Sequence, residues 1–384
     1  MSEMEMNIAT LMASVFDDEN GAITPPIVQT SLFSFANYQA FEDRMSGRTQ
    51  VPIYTRVQNP TVSAFETLMA RAEEGEAAVA FASGIAAISS TLMAFVKPGH
   101  KIACVEHVYP DTYKFMEQIL RPFGVDVTYH SVEAFENDPD LLRDVDIAYL
   151  ESPSSVVFIP LNLPRVAEHA KLHSTLTMID NSWASPVFQR PLKLGIDIVI
   201  HSASKYISGH SDTVAGVVVS SHEHIGTIRD LTLPLFGAKL APFEAFLLTR
   251  GLRTLNVRMM QHQATANLFV DRLADVPQVR KINSPGANAV PGLTGRSGVM
   301  SIEFDDSVDI PKFSDALQHF RLGVSWGGFE SLILPARVGL AQAGPKNSMQ
   351  KFGVSPNLVR LNLGLEDAED LWADFVGALR QSAA

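Results

Sequence analysis

The sequence predicts an α/β protein whose larger domain contains a mainly parallel seven-stranded sheet. Three observations support this prediction: short apolar runs recur between residues 77 and 221, helical segments separate most of them, and long helical stretches follow residue 245. Apolar strands that alternate with helices favour a parallel sheet covered on both faces. With 384 residues, the chain is long enough for two or three domains and a large buried core.

The predicted strands are short, apolar and bounded by turn residues, as is typical of buried strands. They are AAVAFAS (77–83), KIACVE (101–106), VDVTYH (125–130), DIAYLES (146–152), LTMIDNS (176–182), DIVIHSAS (197–204) and AGVVVSS (215–221). Helical periodicity is clearest in GIAAISSTLMAF (84–95) and LPRVAEHAKLH (163–173). We therefore place the larger domain at residues 46–245.

The remaining chain predicts a smaller α+β domain at 246–384 and an N-terminal arm at 1–45. The C-terminal part combines a helical stretch (246–276), a strand-like run (298–304) and a final helix (366–382). The first 45 residues alternate apolar residues with prolines, as in ITPPIVQTSLFSF, and do not suit a compact element. We expect this arm to pack on something else, in particular on a neighbouring subunit.

Composition and charge exclude several classes of function. The net charge is −12 and no run is rich in Lys and Arg, which argues against a nucleic-acid partner. The N-terminus carries acidic residues where a secretory signal needs basic ones, and no apolar run approaches the ~20 residues that span a bilayer. We expect a cytoplasmic protein with no membrane partner.

Cys104, the single cysteine, lies in an apolar run and is predicted to be a buried thiol. The histidines are dispersed along the sequence, so we predict no metal site.

Ligands of open α/β sheets bind beyond the carboxyl ends of the strands, so polar residues at those ends are candidates for a site. Ser83 and Gly84 lie where a strand becomes a helix, and they either hold an anion or form an ordinary helix start. Asp180 follows another strand, where it either caps a turn or pairs with a cationic ring nitrogen.

A lysine, Lys205, follows the sixth apolar run in HSASK. It is either a surface residue or a buried amine whose lowered pKa suits Schiff-base chemistry. Ser202 and Ser204, which we expect to alternate on the strand, can donate to phosphate oxygens. An amine, an anion site and a carboxylate are together what pyridoxal 5'-phosphate (PLP) requires.

The chain resembles the Cys/Met-metabolism family of PLP-dependent enzymes, which contains cystathionine γ-synthases, cystathionine β- and γ-lyases and methionine γ-lyases. The resemblance runs from ITPPIVQTS near residue 23 to LVRLNLGLEDAEDL, which ends at residue 371. The motifs that carry it are YTRVQNPT (54–61), FASGIAAIS (81–89), ESPSS (151–155), IDNSWASP (179–186), HSASKYISGHSD (201–212), RGLRTLNVRM (250–259), SWGGFESL (325–332) and RLNLGLED (360–367). It implies the fold type I architecture, which is similar to that of aspartate aminotransferase.

The resemblance also implies the roles of the cofactor-binding residues. Lys205 would form the Schiff base and move the α-proton, Asp180 would keep the pyridine nitrogen protonated, and Tyr109 would stack on the ring and help with proton transfer. The phosphate would be held by Ser83, the main chain of Gly84 and Ile85, Ser202 and Ser204. Ile85 replaces the usual Met, but this contact is through the main chain.

Two further residues, Tyr54 and Arg56, resemble a pair that reaches the phosphate from a neighbouring subunit. The resemblance therefore implies a homo-oligomer with shared active sites, at least a dimer and usually a tetramer.

On the substrate side, Arg360 would clamp the carboxylate, with Ser325 and Ser155 nearby. Ser155 replaces the Asn of many γ-active members and resembles bacterial cystathionine β-lyases, whereas the apolar Val324 is closer to methionine γ-lyase. Asp111 stands where methionine γ-lyases have a reactive Cys. It either recognises a cationic leaving group or caps the following helix.

We therefore expect a PLP-dependent lyase that eliminates the β- or γ-substituent of a cysteine- or homoserine-type amino acid, giving a 2-oxo acid and ammonia. Candidate substrates are cystathionine, methionine and a guanidino-oxy analogue such as canavanine. The alternative is a γ-replacement transferase similar to cystathionine γ-synthase.

Overall fold

The computed structural model describes residues 7–14, 21–344 and 346–382, which form two sheets. The larger sheet has the order β1-β7-β6-β5-β4-β2-β3. Its strands are β1 (Ala77–Phe81), β2 (Lys101–Val105), β3 (Asp126–His130), β4 (Ile147–Glu151), β5 (Leu176–Asp180), β6 (Ile198–His201) and β7 (Gly216–Ser220). Only β7 runs antiparallel to its neighbours. All seven predicted runs form strands, and the predicted mainly parallel sheet is confirmed.

Helices cover both faces of this sheet. The helices up to residue 253 are α1 (Ile8–Met12), α2 (Tyr38–Met45), α3 (Pro60–Glu73), α4 (Gly84–Phe95), α5 (Pro110–Phe115), α6 (Val132–Asn137), α7 (Leu163–His173), α8 (Ser185–Phe188), α9 (His222–Asp230), α10 (Thr232–Phe236) and α11 (Pro242–Arg253). Alternate residues of β6 pack into different core clusters, Ile198 and Ile200 with α4 and Val199 with α7. The strand is therefore buried on both faces, which explains its continuous apolar pattern.

The sixth strand is shorter than predicted. It ends at His201, and Ser202 and Ser204 lie in the turn that follows instead of alternating on the strand. The Ser202 N–H donates to Ser182 Oγ at 2.6 Å, and the Lys205 N–H donates to the Ser202 carbonyl at 3.1 Å. These bonds replace the strand ladder because β5 has already ended at Asp180.

The smaller sheet has the order β10-β11-β12-β9-β8 and packs on the C-terminal helices. Its strands are β8 (Val279–Asn283), β9 (Val299–Phe304), β10 (Arg321–Leu322), β11 (Leu332–Pro335) and β12 (Leu358–Asn362). The helices are α12 (Leu255–Leu273), α13 (Ile310–Ala316), α14 (Ala336–Leu340), α15 (Ser348–Lys351) and α16 (Ala368–Ser382). The second domain of mixed α and β structure is thus present.

The domain boundaries stay a proposal. The strands of the larger sheet lie between residues 77 and 220 and those of the smaller sheet between 279 and 362, in agreement with 46–245 and 246–384. However, α11 crosses the proposed boundary, and the single helical stretch predicted at 246–276 is divided between α11 and α12 at Thr254.

The predicted arm contains more regular structure than its composition indicates, although residues 1–6 and 15–20 of it lie outside the described residues. Helix α1 is docked on its own chain, where Ile8 and Met12 are buried beside Phe65. Helix α2 has no buried residue, and the ring of Phe41 stacks on Phe35 at 4.7 Å. Within the described part of the arm, residues 21–45 are the more exposed, so we expect contacts with another molecule there.

Two further predictions concern Cys104 and helices that could span a membrane. Cys104 is buried, as predicted, and burial raises its pKa well above the ordinary value. Within residues 7–14, 21–344 and 346–382, no helix is both long enough and apolar enough to cross a membrane.

Candidate active site

The start of α4 provides an anion site at the carboxyl end of β1. Ser83 caps the helix, and its Oγ accepts the Ala86 N–H at 3.1 Å. The Gly84 and Ile85 N–H groups belong to the first turn, where an α-helix has no internal carbonyl to bond them and its dipole favours negative charge. A Cβ on Gly84 would lie 2.7 Å from Ser202 Oγ, so only glycine allows α4 and Ser202 to approach this closely. Ser83, Gly84, Ile85 and Ser202 thus lie together at this helix start.

The two predicted serine ligands differ in what they can offer to a phosphate. Ser202 Oγ faces Gly84. Ser204 Oγ already donates to the Ala215 carbonyl at 3.1 Å and accepts the Ala215 N–H at 2.9 Å. A hydroxyl has one proton to donate, so Ser204 reaches a phosphate only if it exchanges the bond to Ala215. Its predicted role therefore requires a local rearrangement, whereas that of Ser202 does not.

Lys205 is partly buried and lies between the two sheets. Its Nζ donates to Ser325 Oγ at 2.6 Å and lies 5.5 Å from the centre of the Trp326 ring. Burial and the nearby Arg360 charge lower the pKa of Lys205 to about 8, while Asp180 opposes the shift. On the order of a tenth of the amine is therefore neutral at pH 7, far more than for an exposed lysine, and Schiff-base chemistry uses this neutral form.

Asp180 is buried at the end of β5 on the same edge of the sheet. Its Oδ1 accepts the Ser182 N–H at 2.9 Å. Burial raises the pKa of Asp180, and the Ser182 hydrogen bonds and the charges of His201 and Lys205 act in the opposite direction. A protonated pyridine nitrogen beside Asp180 would favour the ionised form further, so this carboxyl fits PLP.

Tyr109 immediately precedes α5, and its hydroxyl is 3.0 Å from Asp111 Oδ2. Asp111 does not cap the helix: it lies in the first turn, and its other oxygen is 3.3 Å from Lys114 Nζ. Burial raises the pKa of Tyr109 strongly, and the Asp111, Asp180 and Glu151 carboxyls raise it further. Tyr109 therefore keeps its proton at neutral pH.

Arg360 on β12 is brought to the same place from the smaller sheet. Its Nη2 donates to the carbonyls of Val324 and Ser325, both at 2.8 Å. Burial lowers its pKa to about 10, and among the described residues no carboxylate pairs with it. A guanidinium without an acidic partner beside Lys205 is suited to binding a substrate carboxylate.

One residue of this site, Glu151, has no role in the sequence-based prediction, although it begins ESPSS. It ends β4, is the register partner of Asp180, and accepts the Tyr109 N–H at 2.7 Å. Ser155 also bonds to its side chain. The signal was present, because Glu151 follows an apolar strand as Asp180 does. Trp326, which packs beside Lys205, was likewise given no role.

Tyr54 and Arg56 do not join this cluster within their own chain. Arg56 Nη1 donates to the Pro234 carbonyl at 2.7 Å, and its guanidinium lies 5.5 Å from the centre of the Tyr54 ring. Tyr54 also forms an isolated bridge to Leu32 and is 43% exposed. Both side chains are therefore on the surface, where another subunit can meet them.

Residues 9–380 match the family of Cys/Met metabolism PLP-dependent enzymes. The chain belongs to this family. It is 36% identical to the L-methionine gamma-lyase of Pseudomonas putida, over 95% of this chain and 94% of that one. It is 34% identical to a cystathionine beta-lyase of Lactococcus lactis subsp. cremoris, over 95% and 96% of the two chains.

A solved structure extends the comparison to the fold. The putative O-acetylhomoserine (thiol)-lyase of Campylobacter jejuni, which holds an N'-pyridoxyl-lysine-5'-monophosphate, has a TM-score of 0.90 and 26% identity and covers 98% of this chain and 100% of that one. Together these comparisons confirm the predicted family, the PLP cofactor and the enzyme class, a PLP-dependent lyase.

Proposed function

We propose that the protein eliminates the β- or γ-substituent of an L-amino acid at the site formed by Lys205, Asp180, Tyr109 and Arg360. One observation carries the proposal: Lys205 Nζ is 2.6 Å from Ser325 Oγ, and the carbonyl of the same serine is 2.8 Å from the Arg360 guanidinium. A base and a carboxylate-binding cation thus share one neighbour. An amino acid held at Arg360 places its α-carbon within reach of the amine.

Each residue has a defined task in this reaction. When bound, PLP would supply an electron sink for the charge that develops at the substrate's α-carbon. Lys205 takes the proton from Cα, and for a γ-substituent a second proton must leave Cβ. Tyr109 keeps its proton and is assigned to donate it to the leaving group. Asp180 would balance the charge of a protonated pyridine nitrogen. Ser83, Gly84, Ile85 and Ser202 would hold the phosphate, with Ser204 after a rearrangement.

Asp111 supports a substrate with a cationic distal group. Its carboxylate accepts the hydrogen bond of the Tyr109 hydroxyl, so it lies beside the group that we propose as the proton donor to the leaving substituent. An ammonium, as in cystathionine, or a guanidino-oxy group, as in canavanine, satisfies that carboxylate, whereas the methylthio group of methionine does not. We also assign Ser155, after β4, and Val324, after β10, to the substrate side of the site. We therefore rank canavanine and cystathionine above methionine.

The Asp111→Asn variant tests this ranking. A hydrogen bond to a charged group contributes about 1.5–3 kcal/mol, so kcat/KM for canavanine and cystathionine should fall about 10- to 100-fold while the value for methionine changes little. Pyruvate and C4 2-oxo acids in the product distinguish β- from γ-elimination. Asp140→Asn, an exposed aspartate paired with Arg143, is the matched control. Equal losses on cationic and neutral substrates would refute charge recognition by Asp111.

A second candidate reaction is γ-replacement, in which a thiol is joined to an activated homoserine. The likeness to a structure described as a putative O-acetylhomoserine (thiol)-lyase favours it. Incubation with an activated homoserine and cysteine decides between the two. A thioether product without 2-oxo acid would establish replacement, and 2-oxo acid with ammonia would establish elimination.

We also propose a homo-oligomer, at least a dimer and usually a tetramer in this family, in which Tyr54 and Arg56 bind the PLP phosphate of a neighbouring subunit. The exposed apolar residues near these two side chains support it: Leu32, Val57, Leu235 and Phe236. Light scattering after size exclusion gives the subunit number, and Arg56→Ala should weaken PLP binding only if the site is shared.

We propose the cytoplasm as the compartment of the protein, which a single buried cysteine supports.

A further inference from the structure

Two buried carboxyl groups lie side by side at the base of the proposed cofactor site. Glu151 and Asp180 are register partners on β4 and β5, and both are less than a tenth exposed. Neighbouring strands are ~4.8 Å apart, so the two side chains, which point to the same face, are close. Two ionised carboxylates at this separation in a buried site repel strongly, and one of them favours its protonated form.

The surroundings determine which carboxyl keeps the charge. Asp180 receives hydrogen bonds from Ser182 and lies near the cation Lys205. Asp180 is therefore the carboxyl that remains ionised.

Among the described residues, no cation is found among the groups that shift the pKa of Glu151. The titratable groups that face it are Asp180 on β5, Cys104 on β2, Tyr149 on β4 and Tyr109 before α5. Burial raises the pKa of Glu151, and the charge of Asp180 raises it further. Thus every neighbour is either neutral or negative, and Glu151 carries the proton.

Glu151 also connects two loops of the site. It accepts the Tyr109 N–H at 2.7 Å, at a helix start where no side chain serves as the cap. It bonds to Ser155, whose N–H donates to the His107 carbonyl at 2.8 Å. The loop before α5 and the loop after β4 therefore meet at this carboxyl, and Tyr109 and Ser155 both depend on it for their positions.

We propose that Glu151 is a positioning residue of the cofactor site: its uncharged carboxyl fixes Tyr109 and Ser155 and leaves Asp180 as the only charged carboxyl of the pair. This inference rests on the proposed roles of Tyr109, Ser155 and Asp180. It assigns to Glu151 no contact with the substrate. It predicts that an uncharged side chain of the same shape can replace Glu151, whereas a side chain that lacks the acceptor cannot.

The Glu151→Gln and Glu151→Ala variants test both parts of the proposal. Glutamine keeps the acceptor for the Tyr109 N–H, so the Kd for PLP at pH 7, measured by titration of the PLP-free enzyme, should stay within about 3-fold of the wild-type value. Alanine removes the acceptor, and we expect the Kd to rise at least about 10-fold, as for loss of a buried hydrogen bond. If Gln weakens binding as much as Ala does, then the site needs the charge and the proposal is wrong.

The pH dependence of thermal stability provides a second readout that does not depend on activity. Glu151 has a raised pKa in the folded protein and about 4.3 in the unfolded chain, so its contribution to stability is lost as the pH rises between the two values. Between pH 6 and 9, the midpoint of the wild-type protein should therefore fall by at least about 2 °C more than that of Glu151→Gln, with and without PLP. Parallel curves would overturn the proposal.

Glu66→Gln is the matched control. Glu66 is also a buried glutamate that accepts a backbone N–H, from Ala80 at 2.8 Å, but its partner is Arg229. Its substitution should lower stability without changing the Kd for PLP more than about 3-fold. A wild-type protein that binds no PLP would contradict the proposed function itself, whereas failure of the Glu151 proposal leaves wild-type binding intact.

Discussion

Replacement of Lys205 by methionine should stabilise the PLP-free protein at pH 7. The ammonium of Lys205 is partly removed from water, and its nearest charged neighbours include another cation, Arg360. A lysine pKa lowered from 10.5 to about 8 corresponds to about 3 kcal/mol of unfavourable free energy for the charged form. Partial exposure reduces this cost, and the variant loses the bond to Ser325. A net gain of about 1–2 kcal/mol remains.

The size of the effect decreases with pH in a defined way. The folded-state pKa is depressed, so the unfolded chain binds the extra proton between pH 8 and 10.5, and wild-type stability increases as the pH rises through this range. The advantage of Lys205→Met should therefore be complete below about pH 8 and absent near pH 10.5.

Urea denaturation of the PLP-free wild-type and variant proteins at pH 7 and at pH 10, at one protein concentration, measures this difference. Lys97→Met replaces an exposed lysine and should change the free energy of unfolding by less than about 0.5 kcal/mol at either pH. A Lys205→Met protein that is less stable than wild type at pH 7, or a difference that does not shrink at pH 10, would refute the electrostatic reasoning.

Two further substitutions examine the anion site and the clamp separately. Gly84→Ala places a Cβ 2.7 Å from Ser202 Oγ and should raise the Kd for PLP at least about 10-fold, as measured by titration. The control Gly377→Ala, whose Cβ would have no atom within 4 Å, should leave the Kd unchanged. Equal effects of the two substitutions would contradict this account. Arg360→Lys loses the planar guanidinium that binds a carboxylate through two hydrogen bonds, so KM for the amino acid should rise at least about 10-fold in steady-state kinetics. The Kd for PLP should stay unchanged. A matching loss of PLP affinity would show that Arg360 acts on the cofactor.

The strands were predictable from sequence because their burial on both faces requires continuous apolar runs. The exception was the end of β6, where Ser202 and Ser204 follow an apolar strand but bond to Ser182 and Ala215. A bond to a residue about 20 positions away has no local sequence signal. The short helix α1 was missed for a similar reason, since its stability comes from the burial of Ile8 and Met12 on other elements.

The site was predictable to the extent that strand ends meet at one edge. Lys205, Asp180 and Ser83 could be grouped in this way. Their grouping with Arg360 and Val324 came from the resemblance, because those residues reach the site from another sheet, at long sequence separation. Glu151 also stands at a strand end and could have been grouped with these residues, but its importance depends on its register with Asp180, which a single sequence does not show.

The two sheets contribute different residues to the proposed site, and this has a consequence for protein engineering. Lys205, Asp180 and the anion site all come from the larger sheet, whereas the carboxylate clamp and the loop at 324–326 belong to the smaller one. Within that loop Ser325 and Trp326 contact Lys205, whereas Val324 contacts Arg360 through its main-chain carbonyl and exposes 79% of its surface. A library confined to the Val324 side chain therefore samples new substrates without replacing the side chains that contact Lys205.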